Sequence, residues 1–211
     1  MSIYKQYYSN IAQKLIKNLE KRNMEGYYCP TKEEALQKIL SLIQDHSSVT
    51  WGGSMTLAQL GVIDKLHENK TLTLYDRSRV PSEEVPSVYL SAFSSDYYLM
   101  STNAITRDGK LINIDGTGNR VAALIYGPKN VIVVAGINKI AEDEADGILR
   151  VRNVAAPLNT VRLQKNTPCT VDGACHDCLS DDCICMHTVI TRNSRDKNRI
   201  KVVIVGEHLG Y

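Results

Sequence analysis

The sequence predicts an α/β protein: a mostly parallel sheet flanked by helices. Two observations lead there. Short β-rich runs alternate with amphipathic helical segments along the chain, and several of those runs, such as Val131 to Ala135 and Ile200 to Val205, are apolar throughout. A strand without a polar face is buried on both sides, as in a parallel sheet covered by helices.

The elements follow in order. Ile3, Tyr7, Ile11, Leu15 and Leu19 recur at four-residue steps and give an amphipathic N-terminal helix. Met24 to Cys29 reads as a short strand or turn. Thr31-Lys-Glu-Glu34 has the pattern of a capping box, ahead of a helix whose buried face is Ala35, Leu36, Ile39, Leu40 and Ile43. Val49-Thr50-Trp51 is a strand running into Gly52-Gly53-Ser54. Met55 to Leu66 is helical, Thr71 to Tyr75 alternates as a strand, and residues 76 to 88 are turn-rich around Pro81 and Pro86. Tyr97 to Met100, Leu111 to Ile114 and Val131 to Ala135 are strands. Glu142 to Ala156 is a helix with acidic residues first and Arg150 and Arg152 later, the order the helix dipole favours, and Pro157 is expected to stop it. Residues 166 to 187 have almost no periodicity. Ile200 to Val205 is the final strand. Residues 1 to 211 are expected to form one domain that includes the cysteine-rich segment 166 to 187.

Composition excludes some function classes. With 25 basic and 23 acidic residues the net charge is +2, too balanced for nucleic acid to be the default partner. The polar stretch Thr191 to Arg199 reads as a solvated loop. The N-terminal segment has no continuous apolar stretch, and the longest apolar run, Val131 to Ile137, is far too short to span a bilayer. No membrane partner is expected, and the cytoplasm is the expected location. Cysteines there stay reduced, so clustered ones point to metal or redox chemistry.

Five of the six cysteines fall between Cys169 and Cys185. Cys29 is distant and reads as an ordinary buried thiol. Thiolates are soft donors that suit zinc and iron–sulfur clusters. Cys175 and Cys178 form a Cys-x-x-Cys pair, and the same loop must supply the rest. The favoured ligands are Cys169, Cys175, Cys178 and Cys185, with Cys183 a spare. Structural zinc shows two compact knuckles, whereas only one is present and the outer spacings are irregular. Four thiolates suit a 4Fe-4S cluster, while His176 and His187 keep zinc open as the alternative.

Two glycine-rich turns look built to hold an anion. Gly52-Gly53-Ser54 follows a strand and precedes a helix. So does Asp115-Gly116-Thr117-Gly118-Asn119-Arg120, which adds a carboxylate, an amide and a cation. Neither matches a phosphate loop or a dinucleotide fingerprint. In a parallel sheet the C-terminal strand edge binds ligands, and that edge would also carry Asn103, Asn138 and Lys139. Glu207 and His208 follow the last strand and could join them.

The stretch Thr102-Asn-Ala-Ile-Thr-Arg-Asp-Gly-Lys-Leu-Ile-Asn-Ile-Asp-Gly-Thr-Gly-Asn-Arg120 strongly resembles the LUD-domain (lactate utilisation) proteins. Tyr126-Gly-Pro-Lys129, Gly136-Ile-Asn-Lys-Ile140, Ala156-Pro-Leu-Asn159, Gly52-Gly-Ser-Met-Thr56 and the Gly206-Glu207 ending fit the same pattern. The resemblance implies a fold like that of ribose-phosphate isomerase, glucosamine-phosphate deaminase and CoA transferases. The cysteines resemble a four-cysteine subgroup in which the position of Cys183 is often basic, which supports leaving it out of the ligand set. Some relatives oxidise lactate alongside iron–sulfur partner proteins. The resemblance thus implies a redox subunit acting on lactate or a related 2-hydroxy acid. In that reading Arg120 pairs with the substrate carboxylate, Lys139 assists, and Asp115 or Glu207 is the base. The alternatives are a non-redox enzyme acting on a phosphorylated or CoA-linked small molecule, with a structural metal, and a metal-cluster sensor. Tyr-rich helix faces near the N-terminus leave room for a homo-oligomer.

Overall fold

The computed structural model describes residues 2–211. Along the chain run α1 (Ile3–Glu20), β1 (Glu25–Cys29), α2 (Lys32–Ser41), β2 (Ser48–Trp51), α3 (Met55–Leu60), α4 (Val62–Glu68) and β3 (Thr73–Tyr75). Two single 3₁₀ turns, Arg77–Arg79 and Ser82–Glu84, lead into α5 (Val85–Ser94), β4 (Tyr97–Ser101), β5 (Ala104–Thr106), β6 (Leu111–Asp115), α6 (Asn119–Tyr126) and β7 (Asn130–Gly136). A 3₁₀ turn, Ile137–Lys139, precedes β8 (Ile140–Ala141) and α7 (Glu144–Arg150). A π turn, Val151–Ala155, joins α7 to α8 (Ala156–Arg162); then come α9 (Pro168–Asp172), β9 (His187–Thr191) and β10 (Ile200–Val205).

The main sheet has the order β1-β10-β7-β4-β2-β3, and every neighbouring pair is parallel. Its central strands are apolar because both faces are covered. Val131, Val133 and Ala135 of β7 pack with Leu15 and Leu19 of α1 and Leu124 of α6. Ile132 and Val134 pack on the other face with Ile39 of α2, Leu57 of α3 and Leu66 of α4. The predicted α/β class and mostly parallel sheet are what the chain forms. At the start of α2, the Thr31 hydroxyl accepts the Glu34 N–H at 3.2 Å, as the capping pattern requires.

Four local expectations are corrected. Leu111 to Ile114 is a strand, but it leaves the main sheet for a second one, ordered β8-β5-β6-β9. An Asp108-Gly109 turn, with Gly109 at φ +92°, folds β6 back antiparallel on β5. The helix over 55 to 66 is two helices, because Gly61 takes φ +66° between them. The turn-rich segment ends in α5, with Pro86 in its first turn, where a missing N–H costs nothing. Pro157 does not stop its helix. The π turn before it begins a fresh helix, and Pro157 again sits in a first turn. Among the described residues no helix is long and apolar enough to cross a membrane.

Candidate functional site

The two sheets meet at the C-terminal ends of β2, β4 and β7, and a cavity of about 290 Å³ opens there. Its wall includes Gly53, Ser54, Asn103, Asp115, Arg120 and Lys139. The loop after β2, the loop after β4, the β6–α6 turn and the 3₁₀ turn after β7 therefore converge, as the strand-edge argument expects. Gly116, Thr117 and Asn119 also line it. The far side is the π turn with α8, a helix irregularity of the kind that collects at functional sites.

Lys139 is 3% exposed. Its Nζ donates to the hydroxyls of Thr56 and Ser101, both at 2.9 Å, and to no carboxylate. Burial, with the cations of Arg150 and Arg120 nearby, pulls its pKa down to about 7.

Arg120 is engaged elsewhere. Nη1 donates to Ser101 O at 3.2 Å and Asn113 Oδ1 at 2.6 Å, and Nη2 to Asn103 Oδ1 at 3.0 Å and Ile114 O at 2.9 Å. Its Nε lies 3.1 Å from Asp115 Oδ2, an ion-pair contact without hydrogen-bond alignment, so that Oδ2 is buried with no donor of its own. The other carboxylate oxygen, Asp115 Oδ1, accepts the Gly118 N–H at 3.0 Å and closes the turn in which Gly118 takes φ +86°. Arg120 lines the cavity, and its hydrogen bonds to the protein brace the wall.

Glu207 is not in the wall. Its Oε1 accepts the Lys32 N–H at 2.8 Å at the start of α2. Asn138 also stands outside, accepting the Leu209 N–H at 3.1 Å and donating to Gly210 O at 3.3 Å to hold the C-terminal tail. Gly52 and Gly118 shape the backbone behind the wall; a Cβ on Gly52 would come within 2.8 Å of the Tyr98 hydroxyl.

The sequence reading missed two cations. Arg77, just after β3, is steadied by the Tyr89 hydroxyl at 2.9 Å and lies over Gly53, whose missing side chain leaves it room. Arg162 of α8 donates from Nε to the Tyr211 hydroxyl at 2.6 Å. The cavity thus gathers Arg77, Arg120, Lys139 and Arg162 against the single carboxylate of Asp115, a balance that favours a small anion.

The cysteine loop adjoins this cavity. All six cysteines are unpaired, and the five in the loop are half-buried. Cys185 lies in the cavity wall. Burial, then the neighbouring Cys183, Cys175 and Cys169, push its thiol up to about 12. The Cys175 sulfur accepts a hydrogen bond from Arg152 Nε at 3.2 Å, and Cys169 contacts the Thr167 hydroxyl at 3.3 Å. Cys183 stands between Cys178 and Cys185, and its sulfur accepts the Cys185 N–H at 3.4 Å. The donor set is therefore a patch of soft sulfurs with a cation beside it, which suits an iron–sulfur centre. Among the described residues no three His, Cys, Asp or Glu side chains are drawn close enough to hold a single ion. Cys29 is distant and buried.

No curated protein matches the chain. A DUF162 family protein from Deinococcus radiodurans is 13% identical, with 94% of this chain and 97% of that one covered and a TM-score of 0.55. That likeness supports the fold alone. eIF2B delta from Chaetomium thermophilum (16% identity, 52% and 48% covered, TM-score 0.37) and a Pseudomonas malonate decarboxylase hetero-tetramer (15%, 69% and 34%, TM-score 0.35) are too distant to support an argument. The family model of the LUD domain matches residues 12–205. The chain belongs to the LUD domain family.

Proposed function

We propose that this protein is an iron–sulfur member of its family, of the four-cysteine kind, and works as a redox subunit in the oxidation of lactate or a related 2-hydroxy acid. The observation that carries the reading is a shared wall: Cys185 and Lys139 line the same cavity. A metal centre on Cys169, Cys175, Cys178 and Cys185 would border the substrate space directly. Such a cluster, when bound, supplies one-electron transfer. A cluster is favoured over zinc because the loop carries a single Cys-x-x-Cys pair with irregularly spaced outer cysteines, where structural zinc shows two compact knuckles.

The protein's own groups suit a hydroxy acid. Arg77 and Arg162 offer the cavity guanidinium donors for a carboxylate. The Asp115 carboxylate, in the cavity wall, would be the acceptor for the substrate hydroxyl. Two electrons leave the substrate in each oxidation, so the reaction needs an electron-accepting partner protein.

Anaerobic purification tests this reading. The expected preparation is coloured, contains iron and sulfide, and bleaches in air. Colourless protein with zinc alone, or folded protein with neither metal, overturns it. Lactate-dependent reduction of an artificial acceptor, lost in Asp115→Asn, tests the substrate half.

A further inference from the structure

We propose that Lys139 is a carbonyl-capturing amine that forms a reversible imine with a 2-oxo acid held in the cavity. This rests on the reading of the cavity as a small-carboxylate site and adds a covalent step to it.

The placement of the amine is the first reason. Lys139 ends the 3₁₀ turn after β7, is 3% exposed, and reaches the cavity wall. Two of its three donor directions go to the Thr56 and Ser101 hydroxyls. The third has no protein partner and is available to the cavity. A lysine kept as a charged anchor is ordinarily matched by a carboxylate, and this one is matched only by hydroxyls.

The charges around it are the second reason. Arg150 of α7 and Arg120 of α6 face it, while Asp115, Arg77, Arg162 and Cys185 stand round the same cavity. Asp115 is already paired with Arg120, and the Tyr211 phenol is held by Arg162. The ammonium form is thus opposed by burial and by two cations, and the titration midpoint falls to about 7. A neutral amine binds anions poorly and attacks carbonyls well.

The chemistry balances without any oxidant. The Nζ lone pair attacks the carbonyl carbon and a C–N bond forms. The carbonyl electron pair moves to oxygen, which takes a proton through the Ser101 or Thr56 hydroxyl. The nitrogen passes one of its protons, through the same hydroxyls, to the carbinolamine oxygen; the C–O bond then breaks, water leaves, and the nitrogen lone pair closes the C=N bond. Amine, ketone and one proton become a protonated imine and one water. A 2-oxo acid is the fitting partner because its carboxylate answers the Arg77 and Arg162 cations while its carbonyl faces Nζ. The cavity, about 290 Å³, has room for a molecule of that size.

The test is reductive trapping on the full chain with pyruvate and cyanoborohydride at pH 7, read by intact mass and peptide mapping. The adduct is expected to appear first at Lys139, with exposed lysines labelled far more slowly because they remain largely protonated. Acetone, which lacks the carboxylate, should label roughly tenfold more slowly. Lys139→Met should abolish the fast phase of labelling. Should that variant not fold, the map on the unaltered protein decides, since adducts spread over surface lysines overturn the proposal. Pyruvate binding is measured in parallel by calorimetry without reductant. Binding without an adduct overturns the imine and leaves the cavity reading standing; neither binding nor adduct removes both.

Discussion

Replacing Arg120 with Ala should be among the most destabilising single changes in this chain. The Arg120 side chain is 13% exposed and that of Asp115 is 8% exposed. Truncation strands the Asp115 carboxylate and takes donors from Ser101 O, Asn113 Oδ1, Asn103 Oδ1 and Ile114 O. Removing one partner of a buried ion pair costs about 3–5 kcal/mol. Each stranded acceptor adds about 1–3 kcal/mol when water cannot reach it. The adjoining cavity lets water in, so the ion-pair figure sets the scale. With a urea m-value of about 2 kcal/mol/M, the unfolding midpoint should fall by roughly 1.5–2.5 M. The single Trp51, in β2, supplies the fluorescence signal. Asp115→Asn leaves the guanidinium its four other acceptors and should cost only about 1–2 kcal/mol. The double variant should cost less than the sum, because the stranded carboxylate has gone. Should Arg120→Ala unfold within about 1 kcal/mol of the unaltered chain, the guanidinium is no brace.

Cys178→Ser should lower iron and sulfide per chain after anaerobic reconstitution, while Cys29→Ser leaves both unchanged; equal iron in the two variants would remove Cys178 from the ligand set. Stability should rise with pH above neutrality through Lys139. Its folded-state pKa is about 7, an unfolded lysine titrates near about 10.4, and between those values the unfolded chain binds the extra proton. Urea midpoints from pH 7 to 10 should therefore climb more steeply for the unaltered chain than for Lys139→Met, and parallel curves would refute the depressed amine. Thr31→Ala should cost about 1 kcal/mol through loss of the cap on the Glu34 N–H; a change under a few tenths would show that the cap contributes nothing.

The parts of the fold legible in the sequence are those with a long, unmixed signal. β7 and β10 are apolar on both faces, and only a sheet covered twice makes such strands. The second sheet was hidden because β5 has three residues and β8 two, too few for a period to show. Asp108-Gly109 was the one available hint of its hairpin. Pro157 misled because a local rule was overridden by the π turn ahead of it. At the site, Asp115, Asn119 and Lys139 were legible because strand ends of a parallel sheet converge on one edge. Position at that edge does not give direction, however, and Glu207 stands outside the cavity wall with its Oε1 on the Lys32 N–H. Arg77 and Arg162 belong to no motif; a long side chain brings each to the cavity from an element that the sequence does not tie to it.

The two buried cations of this site are treated in opposite ways, and their chemistry explains why. A guanidinium cannot shed its proton inside a protein, so burying Arg120 obliges the fold to supply acceptors; it supplies two backbone carbonyls, two amide oxygens and a carboxylate. An amine can shed its proton, so Lys139 can be buried against two hydroxyls and stay neutral for much of the time near pH 7. The permanent charge is thereby locked into the scaffold and the adjustable one is left facing the cavity. Exchanging the residue types should expose the difference. Lys139→Arg would bring five donors to a place with two hydroxyl acceptors and should destabilise at every pH between about 6 and 9 without the pH slope of the lysine. A Lys139→Arg chain as stable as the unaltered one would show that acceptors were present all along, and that the neutrality of Lys139 is not what its surroundings select.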